Sequence, residues 1–129
     1  LEWMLKVKEW CKFKNGLVVP CQGKSGGLTM FWKEEVKLDI QTYSSSHIDA
    51  WVKGDESVGW WHLTGFYGDP DTSKRPESWQ KLKHLSSTSD LPWLIIGDFN
   101  EITCVDEKEG GSCRPRQQLG NFVDTINWW

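Results

Sequence analysis

The chain has 129 residues, 26% of them charged, and a formal net charge of −3. This length suits one domain with a real hydrophobic core, and the composition argues against a disordered chain. The slightly acidic balance also argues against a protein that binds nucleic acid through phosphate neutralisation alone, since such proteins are usually basic.

The first half of the chain predicts one helix followed by closely spaced strands. Residues 1–14 predict an amphipathic helix, which Asn15 and Gly16 end. Its apolar side carries Leu1, Met4, Leu5 and Cys11. Strands are predicted over residues 17–20, 27–33, 36–42, 47–53 and 58–68. The short turns between them leave no room for crossover helices, so we expect antiparallel pairing.

The loop CQGKSGG, residues 21–27, contains the Gly-Lys-Ser of a phosphate-binding loop. That motif needs another glycine five residues before Gly23, and Val18 stands there. We therefore interpret the segment as a glycine-rich turn between two strands.

The second half predicts a strand–helix–strand unit. A helix over residues 77–85 would place Trp79, Leu82 and Leu85 on one face. Residues 93–97, WLIIG, form a continuous apolar run, which is typical of a strand covered on both faces. An acidic loop over 103–111 and a helix over 116–126 follow. The elements together predict a mixed α/β domain.

The residues that follow WLIIG are the first candidates for a functional site. In an extended chain Asp98 and Asn100 share one face, while Phe99 turns towards the core and Gly97 permits a sharp turn. A carboxylate and an amide so placed can orient a water and a phosphate oxygen together. The alternative is a plain turn, where Asp and Asn bond their own backbone.

Tyr67 is the second candidate, because it ends another predicted strand just before Gly68, Asp69 and Pro70. Its hydroxyl can reach a phosphate from such a position. The alternative is a ring packed under a turn with its hydroxyl in water.

The cysteines and tryptophans predict structural roles. The four cysteines contain no CxxC pair, which favours free thiols in a reducing compartment and leaves a Cys104–Cys113 disulfide as the open alternative. Most of the ten scattered tryptophans are interpreted as core residues. No signal peptide or membrane-spanning run is visible, so we expect an intracellular protein, with the nucleus compatible and no membrane or protein partner.

Taken in order, several short motifs resemble the endonuclease/exonuclease/phosphatase superfamily. The sequence is most similar to the apurinic-like endonuclease domain of plant LINE-type non-LTR retroelements. GDFNEI is the specific motif of the series, which covers essentially the whole chain. The matching segments are GKSGGL (23–28), SHIDA (46–50), TGFYG (64–68), Trp79, GDFNEI (97–102) and DEKEGG (106–111).

The resemblance implies one incomplete domain over residues 1–129, an α/β fold with the four-layered α/β sandwich of the DNase I-like type. It implies hydrolysis of phosphodiesters or phosphomonoesters with Mg²⁺ or Mn²⁺, and DNA as the partner that is nicked. By similarity, Tyr67 contacts the scissile phosphate, Asp98 orients or deprotonates the water and is a candidate metal ligand, and Asn100 binds phosphate and holds Asp98.

Two departures from the family pattern are visible. The family also uses an Asn and a metal-binding Glu from preceding strands, and a closing Ser-Asp-His motif. The chain begins at Leu1 and stops at Trp129 without them, so we expect a fragment with impaired turnover.

No catalytic role is predicted for the remaining charged residues or for the histidines. Arg114 and Arg116 are weak candidates for binding DNA phosphates, with plain surface exposure as the alternative. The histidines, which match no catalytic histidine of the family, are interpreted as ordinary surface or strand residues: His47, His62 and His84. The acidic side chains interpreted as solvated surface rather than replacement metal ligands are Glu101, Asp106, Glu107 and Glu109.

Three functions remain open on these grounds. The first is a metal-dependent nuclease-type domain, and the second is an inactive retroelement-derived fragment. The third, which the acidic balance favours slightly, is a phosphatase of small or lipid phosphoesters.

Overall fold

A computed structural model describes residues 2–23 and 27–127. Over these ranges the protein is a mixed α/β chain, as predicted, with three α-helices, two short 3-10 helices and two sheets. The helices are α1 (Glu2–Trp10), α2 (Arg75–Ser87) and α3 (Arg116–Asn127). The strands are β1 (Asn15–Val19), β2 (Leu28–Trp32), β3 (Leu38–Ser44), β4 (His47–Lys53), β5 (Trp60–Tyr67) and β6 (Trp93–Asp98).

The chain divides into two compact units. The strand unit is drawn from residues 1–67 and 91–97, and the helical unit from residues 68–90 and 98–129. Each unit has its own buried residues and is described separately below.

Helix α1 ends earlier than predicted, and for a different reason. The N–H of Phe13 donates to the carbonyl of Lys8, and the N–H of Lys12 donates to Glu9, both over 3.0 Å. Lys12 has a φ of 59°. This pattern is the Schellman motif, in which a left-handed residue closes the helix. The prediction that Asn15 and Gly16 end the helix is wrong, because both belong to β1.

The expected apolar side of α1 buries little. The helix contains no fully buried residue, and Trp3 and Trp10 are 65% and 73% exposed. The interpretation of most tryptophans as core residues is therefore wrong for these two, whereas Trp79 is buried as expected. Leu1, Trp128 and Trp129 lie outside the described residues.

Strands β1 and β2 form a two-stranded antiparallel sheet, with Asn15 opposite Trp32 and Val19 opposite Leu28. Both strands were predicted. The connection between them is the glycine-rich segment, of which Lys24, Ser25 and Gly26 lie outside the described residues, so its predicted turn stays a prediction.

The second sheet has the strand order β3-β4-β5-β6. Strands β3, β4 and β5 pair antiparallel through short turns, as predicted. The N–H of His62 donates to the carbonyl of Pro92, and the N–H of Gly68 donates to that of Asp98. From the first of these bonds to the second, the donor and the acceptor both move towards the C-terminus, so β5 and β6 run parallel. A parallel pair needs a long connection, and α2 lies within it along the chain.

Strand β6 differs from its prediction. Leu94 and Ile96 are 49% and 53% exposed, so the strand is not covered on both faces. The sheet order places β6 at an edge. Alternate side chains of a strand point to opposite faces, and the face of Trp93 and Ile95 is the better covered one.

The helical unit buries its apolar side chains between α2 and α3. Trp79, Leu82 and Leu85 are buried on α2, as their spacing predicts. The Trp79 ring lies against Phe122 of α3 with centroids 4.7 Å apart, and Phe99 follows at 5.8 Å from Phe122. Phe99 thus packs inward, as predicted. No helix within the described ranges is long and apolar enough to cross a bilayer.

Candidate functional site

The backbone around Gly97 leaves no room for a side chain. Gly97 has a φ of 153°, and a Cβ there would stand 1.7 Å from the carbonyl oxygen of Phe66. A Cβ on Gly68, in the helical unit, would stand 2.1 Å from the carbonyl oxygen of Phe99. Both glycines are therefore required by close backbone approach.

The turn after β6 is held by Asp98 and Asn100. The Asp98 carboxylate accepts a hydrogen bond from the Asn100 N–H at 2.8 Å, and the backbone carbonyl of Asp98 accepts one from the Gly68 N–H at 2.7 Å. The Asn100 side-chain amide donates to the Gly68 carbonyl at 2.7 Å. Asp98, Asn100 and Gly68 therefore form a closed set of hydrogen bonds within the helical unit.

The expectation of an extended Asp-x-Asn segment is wrong. Asn100 has a φ of 53°, a left-handed conformation that Asn tolerates better than most residues. The two side chains are related by a tight turn rather than by strand alternation, because β6 ends at Asp98.

The side chains of Asp98 and Asn100 can each make further hydrogen bonds in this turn. Asp98 is exposed. An ionised carboxylate has about four acceptor positions, of which the Asn100 N–H fills one, so Asp98 can accept from a water as well. Asn100 has a second amide hydrogen beyond the one given to Gly68.

Tyr67 is the last residue of β5, as predicted, and is half-buried. Its N–H donates to the carbonyl of Ser46 at 2.9 Å within the strand unit. A joint action of Tyr67 with Asp98 and Asn100 stays a prediction.

Among the acidic residues, the interpretation as solvated surface is wrong for Glu101. Its side chain is fully buried rather than solvated. One carboxylate oxygen accepts from Arg75 and Gln118, each at 2.7 Å, and the other accepts from the N–H of Ile102 at 3.1 Å. Arg75 is itself 3% exposed. Glu101 thus holds the start of the acidic loop against α2 and α3.

The two arginines differ in their surroundings. Arg116 is exposed at the first position of α3, whereas the Arg114 side chain is 27% exposed and its Nε lies 3.4 Å from Glu101. The part of Arg114 nearest Glu101 is thus enclosed, and plain surface exposure describes Arg116 alone.

The acidic loop does not supply a metal site. No group of three His, Cys, Asp or Glu side chains within the described residues is arranged to hold an ion. Glu101 is neutralised by Arg75, and Glu107 accepts from the hydroxyl and then the N–H of Thr103, which lowers the pKa of the Glu107 carboxyl. Within the described residues, the acidic loop therefore gathers no ligand set of its own, and metal binding stays a prediction.

A buried polar network in the strand unit was not predicted. His62 Nε2 lies 2.5 Å from Asp49 Oδ1, and the Thr64 hydroxyl donates to the same oxygen at 2.6 Å. The Trp93 indole N–H donates to the Thr64 hydroxyl at 2.9 Å, and the Trp93 ring stacks on His62. Asp49 and His62 are 2% and 1% exposed.

Two histidines are strand residues, as predicted, but neither is on the surface. His62 lies in the network above. His47 Nδ1 lies 2.6 Å from the Ser44 hydroxyl and Nε2 lies 2.9 Å from Thr42. His84 is exposed. A signal for the network was present: in β5, His62, Thr64 and Phe66 alternate onto one face.

All four cysteines are free and exposed, so the Cys104–Cys113 alternative is not realised in the structure. No protein-family model matches the chain, and no curated protein matches it either. The family resemblance therefore rests on the order of the short motifs.

Proposed function

We propose that this chain is part of a phosphoester-hydrolysing domain of the endonuclease/exonuclease/phosphatase type that acts on DNA. The proposal includes the four-layered DNase I-like sandwich, of which the mixed α/β chain described above would be a part. The observation that carries it is an exposed carboxylate at a strand end, Asp98, which accepts a hydrogen bond from the backbone N–H of Asn100.

Asp98 is the residue proposed to act on water. A carboxylate held in one orientation can accept a proton from a water that attacks phosphorus, provided that the water lies within hydrogen-bonding distance. The Asn100 N–H keeps one oxygen of Asp98 in place, so the carboxylate loses little further rotational freedom when it acts on the water.

Asn100 has two roles in the proposal. Its bond to the Gly68 carbonyl positions the turn, and its remaining amide hydrogen can donate to a phosphate oxygen. Tyr67 joins the proposal through the family resemblance, as a donor to the scissile phosphate.

Metal dependence follows from the resemblance, but the described residues do not assemble a ligand set, so no step is assigned to an ion. The second candidate is an inactive fragment. The two candidates differ in whether this chain alone can turn over a phosphodiester.

The test is the conversion of supercoiled plasmid to nicked circles, measured with Mg²⁺, with Mn²⁺ and with a chelator. We expect nicking that Asp98→Ala lowers by about 100-fold or more, the size of a lost acid–base group. Tyr67→Phe should lower it as well. Asp39→Ala is the matched control, because Asp39 is an exposed carboxylate on β3.

Equal nicking by Asp98→Ala and wild type would contradict the assignment of Asp98. The absence of nicking with either ion, in a protein shown to be folded by circular dichroism, would favour the inactive fragment. Release of phosphate from small esters without plasmid cleavage would instead favour a phosphatase.

A further inference from the structure

A small cavity lies within the loop between the turn after β6 and helix α3, entirely inside the helical unit. Its volume is about 190 Å³. Its lining includes the apolar side chains of Ile102 and Val105 and the cationic side chains of Lys108 and Arg114. Pockets for drug-sized ligands are usually about 300–1,000 Å³. A cavity of this size suits one small group rather than a whole nucleotide.

The charged residues that line the cavity are cationic. Lys108 and Arg114 line it, and no acidic residue does among the described residues at its wall. Two of the neighbouring carboxylates are engaged by other groups: Glu101 is held by Arg75 and Gln118, and Glu107 by Thr103. The cavity therefore favours a negatively charged occupant.

Arg114 has an unfilled donor. Its Nε is buried and has no hydrogen-bond partner, and Glu101 Oε1, at 3.4 Å, lies too far for a good bond. A buried donor without an acceptor costs about 1–3 kcal/mol. Because this Nε has no accessible surface, an oxyanion in the cavity would meet the terminal nitrogens of Arg114 instead.

Lys108 is held beside the cavity by the backbone. Its ammonium donates to the carbonyl of Ser112, which leaves two of its three donors for another group. Gly110 and Gly111 both have φ of 69°, and a Cβ on Gly111 would stand 3.3 Å from the Lys108 Nζ. Glycine at this position keeps the space around the ammonium open.

We propose that this cavity binds a single phosphate group, with Arg114 as the donor fork and Lys108 as the second cation. A guanidinium can give two parallel hydrogen bonds to one phosphate, and the two terminal nitrogens form such a pair. The site is distinct from the Asp98 turn, and the proposal does not rest on hydrolysis. The phosphate is either a free or terminal phosphate or a phosphodiester of a nucleic-acid backbone.

The test is a titration of the full chain with inorganic phosphate at constant ionic strength, followed by ¹H–¹⁵N NMR. We expect saturable shifts with one dissociation constant at the amides of residues 110–112 and at the Arg114 Nε–H. Arg114→Gln and Lys108→Gln should each weaken binding at least about tenfold, the usual effect of losing a hydrogen bond to a charged group. Lys74→Gln, which removes an exposed cation elsewhere in the helical unit, is the matched control and should bind as wild type.

A second titration with a thymidine dinucleotide, which carries one phosphodiester, distinguishes the sources. Saturable shifts at the same amides would assign the cavity to a nucleic-acid backbone, while binding of inorganic phosphate alone would assign it to a free or terminal phosphate. Linear shifts with both ligands would overturn the proposal, as would wild-type binding by Lys108→Gln. Lys108 takes no part in the contacts of Glu101 with Arg75, Gln118 and Arg114. Lys108→Gln therefore tests the phosphate site even if Arg114→Gln unfolds the protein. Neither result depends on plasmid nicking.

Discussion

The side-chain amide of Asn100 donates a hydrogen bond to the carbonyl oxygen of Gly68, 2.7 Å away. The two residues are 32 positions apart in the chain. The bond joins Gly68, the residue after β5, to the turn after β6. Asp98 contacts both residues, because its carbonyl accepts from the Gly68 N–H and its carboxylate accepts from the Asn100 N–H. A turn held in this way is ordered before any ligand arrives, which is what a binding or catalytic carboxylate requires.

The first prediction concerns this bond. Asn100→Ala removes the donor and also places alanine at a φ of 53°, so we expect a loss of about 2 kcal/mol in the free energy of unfolding. Asn100→Gly removes the same donor but tolerates the backbone conformation. Urea unfolding should therefore find the glycine variant about 1 kcal/mol more stable than the alanine variant. Equal stability of the two would show that the left-handed conformation is not maintained.

The second prediction contrasts two glycines. Gly97→Ala would force a Cβ to 1.7 Å from the Phe66 carbonyl oxygen, so β5 and β6 would have to separate locally. We expect a loss of about 3 kcal/mol or more, or no folded protein. Gly120, in the middle of α3, has open space around its Cβ position. Gly120→Ala should raise the unfolding free energy by about 0.5–1 kcal/mol, because alanine has the higher helix propensity.

The third prediction concerns the buried pair of Arg75 and Glu101. Glu101→Gln leaves the Arg75 guanidinium, 3% exposed, without its counter-ion, and such a loss costs about 3–5 kcal/mol. Thermal melting with circular dichroism should show the corresponding fall in stability. Glu109→Gln, in the exposed part of the same loop, should change stability by less than about 0.5 kcal/mol. A small effect of Glu101→Gln would mean that water reaches Arg75.

Much of the secondary structure could be predicted because its signals are local. The alternation in residues 47–53 gave β4 with its observed bounds, and the spacing of Trp79, Leu82 and Leu85 gave the buried face of α2. A period of 2 or 3.6 is set by backbone geometry and needs no knowledge of the rest of the chain.

The burial of charged residues could not be predicted in the same way. Glu101 was assigned to a solvated loop because its neighbours in sequence are acidic, whereas its partner, Arg75, is 26 positions away. Asp49 meets Thr64 only once the register of β4 and β5 is known. The turn at Asn100 was one of two alternatives, and the local sequence could not decide between it and an extended segment.

The fourth prediction concerns the network around Asp49. Asp49→Ala removes the acceptor that His62 and Thr64 share, leaving buried polar groups without a partner. We expect a loss of about 2–4 kcal/mol in urea unfolding. Asp39→Ala, on exposed β3, should stay within about 0.5 kcal/mol of wild type. If both variants behave alike, the network contributes no more than a surface carboxylate.

The fifth prediction concerns pH and the turn before β5. Asp55 Oδ1 accepts from the Ser57 hydroxyl at 2.6 Å and from the N–H groups of Ser57 and Val58, each at 3.0 Å. The Ser57 hydroxyl first, and then the two N–H groups, lower the pKa of the Asp55 carboxyl below its ordinary value. A carboxyl with a lowered pKa in the folded state stabilises the fold above its ordinary pKa of about 4. This contribution is lost as the pH falls through the folded-state pKa.

Ser57→Ala removes the strongest of these bonds, so the pKa of Asp55 should rise towards its ordinary value. A ¹³C NMR titration of the Asp55 carboxyl measures this directly. The stability difference between wild type and Ser57→Ala should be largest above about pH 5 and should shrink as the pH falls through about 4. Ser45→Ala, in the exposed β3–β4 turn, should leave the Asp55 titration unchanged. A titration of Asp55 that Ser57→Ala does not move would show that the hydroxyl bond is absent in solution.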